Sequence, residues 1–176
     1  MPKTFKYLED NFIRLKGYNK IEDNTFPSFM AMLSGRSMDT LSPLCLTNQS
    51  FDNCDIIWKK YKEKGFLTAY GEDEPDISTF NYYKPGFDKP PTDFYLRPYM
   101  LSSYDLPIKT RYNMGFCSGP ENSGERVLNA AKDFAVSLKY FPTFGFFYSN
   151  SFSHDDVNMP SSMDNKIREY LEDQEM

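Results

Sequence analysis

The sequence predicts an α/β protein, a sandwich in which helices cover a mostly parallel sheet. Three observations predict it. Helix-period segments alternate with apolar runs of strand length along the chain. The clearest strand-length runs, 66–70 and 143–150, each lead into a polar segment. Sixteen Phe, thirteen Tyr and one Trp among 176 residues supply an aromatic interior and exclude a disordered chain. The length fits one domain.

Residues 2–11 set Phe5 and Leu8 on one helical face, and 12–18 alternate Phe12, Arg14 and Lys16 with Ile13 and Leu15 before Gly17, so the reading is helix, then strand. A polar loop over 19–24 leads into 26–33, a short helix apolar nearly all round and therefore buried, with Gly35 as its stop. Residues 38–52 read as irregular. Cys54, Ile57, Trp58 and Tyr61 mark one face of a helix ending at Gly65, and 66–70 follow as a strand. The acidic segment GEDEP, 71–75, has the pattern of a solvated loop, although its charges would also favour a cation or an amine. Residues 76–91, rich in Tyr, Pro and Gly, read as loop. Helices are predicted over 92–103 and 124–138, separated by a stretch with Pro107, Gly115, Gly119 and Pro120 that reads mostly as loop. A strand over 143–150 enters the polar run SFSHDDVN, and a last helix from Ser161 turns Met163, Ile167, Tyr170 and Leu171 inward. In open parallel sheets, sites form beyond the C-terminal ends of strands. Thr25, Glu72, Asp73, Glu74 and His154 all follow such ends.

Several classes are set aside by charge and pattern. The formal net charge is −5 and the 20 basic residues are scattered, which is not the footprint of a nucleic-acid binder. No apolar run approaches the roughly 20 residues that cross a bilayer, and the first ten residues lack a signal-peptide core. Cys45, Cys54 and Cys117 have no CxxC spacing and His154 is the single histidine, so the Cys/His set assembles no zinc site. Cys45 and Cys54 are close across a polar loop, and an oxidising compartment would bridge them, leaving Cys117 without a local partner.

The segment DNTFPSFMAMLSGRS, 23–37, carries the chemistry. A threonine hydroxyl beside a helix start is ordinarily a cap, worth about 1 kcal/mol. The same N–H donors and the helix dipole also stabilise an anion, and Pro27 suits the first turn because it lacks an N–H. A phosphoryl or sulfuryl group fits such a place. Both readings of Thr25 stand at this point.

Thr25, Phe26, Pro27 and Ser28, followed by MLSGR at 32–36, resemble the nucleophile segment of the alkaline phosphatase and sulfatase superfamily. Its nucleotide pyrophosphatase/phosphodiesterase branch has a nucleophilic threonine in TFPN; its sulfatases have a modified cysteine in CxPSR followed by LTGR. Residues 57–70 are similar to the helix and strand after the sulfatase nucleophile, and 144–154 resemble the later strand whose end carries a histidine near the substrate. Nearly the whole chain is similar to the domain of unknown function 229 family, through GYNKIEDNTFPSFMAMLSG, FLTAYGEDEPDISTFNYY, PTDFYLRPY and FGFFYSNSFSHDDVNMPS.

The resemblance implies a sulfatase/alkaline-phosphatase-like α/β sandwich, incomplete at both ends, with residues 1–176 as the middle portion of a larger catalytic-type domain. It makes Thr25 the nucleophile, places Ser28 against a substrate oxygen, and sets His154 either against substrate oxygens or in a metal's shell. Arg36 matches the closing arginine of LTGR and is expected to pair with backbone or carboxylates behind the helix. Phe29 replaces the sulfatase arginine and GEDEP replaces the basic segment that cradles sulfate, which argues against a formylglycine sulfatase. The expected substrate is a phosphate or sulfate ester, small or linked to a glycan or lipid. A divalent metal, zinc first, is implied for a complete domain, but its ligands have no match here, so the chain alone is expected to bind none stably and to be silent. The alternative is a non-catalytic binding or scaffold protein; the resemblance places either on the secretory pathway or outside the cell.

Overall fold

The computed structural model describes the chain except residues 46–49, 107–108, 112–113 and 174–176, and gives the backbone alone at 42, 44, 109–111 and 114–118. The chain opens with α1 (Pro2–Asn11), α2 (Thr25–Ser34), α3 (Met38–Cys45) and α4 (Ile57–Glu63), and then enters β1 (Leu67–Glu72). A short strand β2 (Phe94–Tyr95) and helix α5 (Arg97–Tyr104) follow. A small meander of β3 (Lys109–Arg111), β4 (Met114–Ser118) and β5 (Glu121–Asn122) comes next. Helix α6 (Ser123–Ser137), strand β6 (Thr143–Tyr148) and helix α7 (Asp164–Glu172) complete it.

The main sheet has the order β2-β1-β6 and is parallel throughout, whereas the meander β3-β4-β5 is antiparallel. Strand β6 lies beside β1 without a register shift, Ala69 opposite Gly145 and Glu72 opposite Tyr148, so side chains of one parity share one face. On that face Trp58 of α4 stacks on Tyr70 at 5.2 Å, Tyr61 stacks on Phe144 at 4.3 Å, and Phe29 of α2 meets Phe146 edge-on at 5.2 Å. The opposite face receives α6, whose Phe134 contacts Phe94 and Phe147. Helices thus cover both faces of a parallel sheet.

The core gathers where α2, α3 and α4 meet β1. Met30, Leu33, Leu41, Phe51, Ile56, Trp58, Tyr70 and Phe80 form one buried cluster, and each large aromatic in it removes roughly 150–250 Å² from water. A disulfide joins Cys45 to Cys54 inside this cluster, as their spacing allowed. The side chain of Cys117 lies outside the described residues, as does Pro107.

Four expectations need correction. Residues 12–18 are not a strand: among the described residues no element pairs with them, and Ile13 and Leu15 stand 91% and 75% exposed. A strand pattern needs a neighbouring ladder to become a strand. Within 38–52 there is a helix, α3, despite Pro43 in its interior; burial of Leu41 and Cys45 offsets the roughly 3 kcal/mol that an interior proline costs. The predicted helix over 92–103 divides, its first part pairing with β1 as β2. The stretch between the helices is the β3-β4-β5 meander rather than mostly loop. No helix among the described residues is long and apolar enough to cross a membrane.

Candidate active site around Thr25

Thr25 is the first residue of α2, and the residue before it, Asn24, holds φ at +75°. Thr25 therefore does not act as the cap of this helix, and among the described residues no side-chain hydrogen bond caps its start. The amides of Thr25 and Phe26 therefore have no partner within the helix, and Pro27 has none to satisfy. Four residues along, Phe29 sits edge-on to both Phe146 and Tyr148, at 5.2 and 4.7 Å. That packing pins the start of α2 beside the C-terminal end of β6.

The chain leaving β6 is held by Asp73, the residue after β1. Its fully buried carboxylate accepts from the Ser149 hydroxyl, from the Asn150 amide at 2.8 Å and from the Ser151 amide at 2.9 Å. The Asn150 carbonyl then accepts from the amides of Ser153 and His154, both at 2.9 Å. These bonds turn the chain so that Asn150 and His154 line a cleft of about 400 Å³ that Thr25, Phe26 and Pro27 also line. The His154 imidazole is exposed, with Nδ1 at 2.8 Å from Asp155 Oδ1.

The cleft's remaining walls come from the segment after β1: Ile77, Ser78 and Thr79, then Tyr82, Tyr83 and Lys84. Arg97 fixes this segment by donating to the Pro75 carbonyl at 2.7 Å and to Ser78 Oγ at 3.1 Å. The Thr79 amide donates to both oxygens of Glu72, at 3.1 and 2.9 Å, and Tyr70 donates its hydroxyl to the same carboxylate. Burial raises the Glu72 carboxyl above the usual range, and these hydrogen bonds oppose the rise. Burial likewise raises Glu74 to about 7, opposed by the Tyr104 hydroxyl it accepts from and reinforced by Asp73, Asp155 and Asp76.

A model of the family described as "Protein of unknown function (DUF229)" matches residues 1–176. This chain belongs to the DUF229 family. No curated protein and no solved structure matches it.

In this DUF229 protein the fold brings Thr25 and His154 from distant segments into one cleft. Ser28 lies on the same helical side as Thr25, three residues on. It is not among the residues lining the cleft, and its buried Oγ makes no hydrogen bond among the described residues. Arg36 pairs with Asp55 at 3.9 Å, the structural role expected of it. Glu72, Asp73 and Glu74 are all buried, so the acidic run is not a solvated loop. The reason is that β1 runs on through Glu72 and hydroxyl and amide donors surround the carboxylates. Sequence reasoning passed over Ser78, Thr79, Lys84 and Asn150. Their one available signal was position, since each follows the C-terminal end of a parallel strand.

Proposed function

We propose that this DUF229 chain carries the nucleophile segment of a hydrolase or transferase acting on phosphate or sulfate esters. Phosphate is preferred, because a threonine attacks without prior modification. The observation that supports this reading is the shared cleft: an uncapped helix start bearing a hydroxyl, with a histidine lining the same space. Thr25 Oγ1 attacks phosphorus, a threonyl ester forms, and the bond to the leaving alcohol oxygen breaks. His154, oriented by Asp155 through Nδ1, offers Nε2 to the departing Thr25 proton or to a substrate oxygen. The amides at the start of α2, which have no partner within the helix, stabilise the developing oxyanion; Ser28, given a substrate oxygen by resemblance alone, does not line the cleft and takes no part in this step.

A divalent ion, zinc by resemblance, would supply further charge stabilisation in a complete domain. Among the described residues no three His, Cys, Asp or Glu side chains form a set able to hold a metal. Asp73, the buried carboxylate that turns the chain toward His154, is taken up by its three donors. The donor set does not fit a bound ion, and no step above passes through one.

The test is rapid quench of the full-length protein with an activated phosphate ester, followed by phosphopeptide mapping. The expected result is label on Thr25 that Thr25→Ala removes. Turnover that survives Thr25→Ala overturns the assignment. The alternative is a non-catalytic binding or scaffold protein, and the Cys45–Cys54 disulfide suits an oxidising compartment under either reading. Absence of both labelling and turnover with the folded protein selects that alternative.

A further inference from the structure

We propose that residues 82–84 form the arm that recognises the substrate at the Thr25 cleft: Lys84 pairs with the ester's charged oxygens, and the Tyr82 and Tyr83 rings stack on a ring-bearing leaving alcohol. This deepens the reading of Thr25 as nucleophile and rests on it.

Lys84 lines the cleft together with Thr25, Asn150 and His154. Its ammonium lies 4.7 Å from the centre of the Phe26 ring, and Phe26 is the residue next to Thr25. It forms no ion pair among the described residues, although Glu22 and Asp23 line the shallow groove on its other side. A cation resting on an aromatic face keeps a fixed place while its three donors remain available. The acids that follow β1 are buried, and Lys84 brings positive charge to the cleft lining.

A second polar group waits in the same space. Thr79 lines the cleft, is only 5% exposed, and its hydroxyl makes no hydrogen bond among the described residues. It leans toward Glu72 without reaching hydrogen-bond geometry, whereas its amide is bound there. An unpartnered buried hydroxyl costs stability unless something bonds to it, and an ester oxygen is the chemistry the cleft suits.

The tyrosines set the class of leaving group. Tyr83 is 89% exposed and holds φ at +49°, a left-handed conformation uncommon for a bulky residue. Glycine would take that turn without strain, so the ring is kept there at a cost. Tyr82, half exposed, packs against it with centroids 4.4 Å apart, and the pair forms an aromatic rim on the cleft. Aromatic faces at a wet rim hold planar or saturated rings by stacking. The ligand class is therefore an anionic ester of a ring-bearing alcohol, aryl or sugar.

The experiment titrates the full-length protein with inorganic phosphate, phenyl phosphate and glucose 6-phosphate by calorimetry. One or both ring-bearing esters are expected to bind at least about tenfold more tightly than inorganic phosphate, and the tighter of the two identifies the ring. Lys84→Gln is expected to weaken all three by about tenfold, and Lys84→Arg to restore them. Tyr83→Gly relaxes the turn; it is expected to abolish the ring preference while inorganic phosphate binds as before. No binding by the wild type, unchanged affinities in Lys84→Gln, or a ring preference that persists in Tyr83→Gly overturns the proposal. If these effects hold while Thr25 is never esterified, the nucleophile assignment fails and the recognition arm stands.

Discussion

Asp73 and Glu74 are neighbours in sequence with opposite physical situations. Asp73 accepts three hydrogen bonds, two of them from backbone amides whose positions set the turn into His154. Hydrogen bonds to a buried charged acceptor are worth about 1.5–3 kcal/mol each, and an amide group cannot accept on both of its atoms. Asp73→Asn is therefore expected to lower unfolding free energy by about 2–4 kcal/mol in urea titrations followed through buried Trp58. It should also speed amide exchange over 149–154. Glu74 has one oxygen with no partner and a carboxyl raised from 4.5 to about 7. Between these values the folded chain holds a proton that the unfolded chain has released, so the folded state is favoured below about 4.5 and loses that advantage as pH rises through 7. Glu72 is raised in the same direction. Glu74→Gln should flatten the fall in stability between pH 4.5 and 7 without abolishing it, as read by urea midpoints across that range. A slope unchanged from wild type would show that Glu74 does not hold the proton. None of this was legible in GEDEP, because composition reports charge whereas burial depends on donors from residues far away, Ser149 to Ser151 and Tyr104.

At the scale of elements, two contacts decide where the cleft's components stand. Phe29 seats α2 on β6, and truncating a large aromatic in such a place costs about 3–5 kcal/mol when fully buried. Phe29 is partly buried, so Phe29→Ala is expected near 3 kcal/mol in denaturant titration, with esterification of Thr25 reduced more than stability alone explains. Gly124, in the first turn of α6, lies under the Phe152 ring: a Cβ there would be 2.6 Å from the ring. Alanine gains about 1 kcal/mol of helix propensity, but displacing a packed ring costs about 1–3 kcal/mol. Gly124→Ala should therefore be neutral to destabilising by up to about 2 kcal/mol in thermal melts; a net gain would mean that the ring moves freely. The elements themselves were legible in proportion to their periodicity. Residues 57–63, 67–72, 123–137 and 143–148 emerged close to their expected places because their patterns are carried by packing against the sheet. Residues 12–18 have an equally good alternation and form nothing, because pairing is supplied by a neighbour and not by the pattern. The β3-β4-β5 meander was hidden by glycines and prolines that also belong to tight turns.

The whole molecule is held by a main core around the parallel strands, by a smaller cluster of Phe152 and Met163, and by closures at its margins. The Cys45–Cys54 bridge spans nine positions. Closing a loop of that size stabilises by about 3 kcal/mol in the chain-entropy account. Reduction should lower the urea midpoint accordingly, provided that both thiols are blocked before measurement, and a midpoint that does not move would locate the bridge's role elsewhere. The sequence conveyed the fold class and the parallel sheet, and the DUF229 match extends over the same residues; the cleft itself was legible only at Thr25 and His154. Its other walls come from segments whose meaning is spatial. Asp164, at the start of α7, accepts from the amides of Lys3 and Thr4 at 3.0 and 2.8 Å, and the Thr4 hydroxyl donates back to its carbonyl at 2.8 Å. The exposed segment joining α1 to α2 contains Lys16 and makes no strand. Brief trypsin digestion should cut there while the severed N-terminal peptide stays attached to the rest, co-eluting under native conditions and separating only in denaturant.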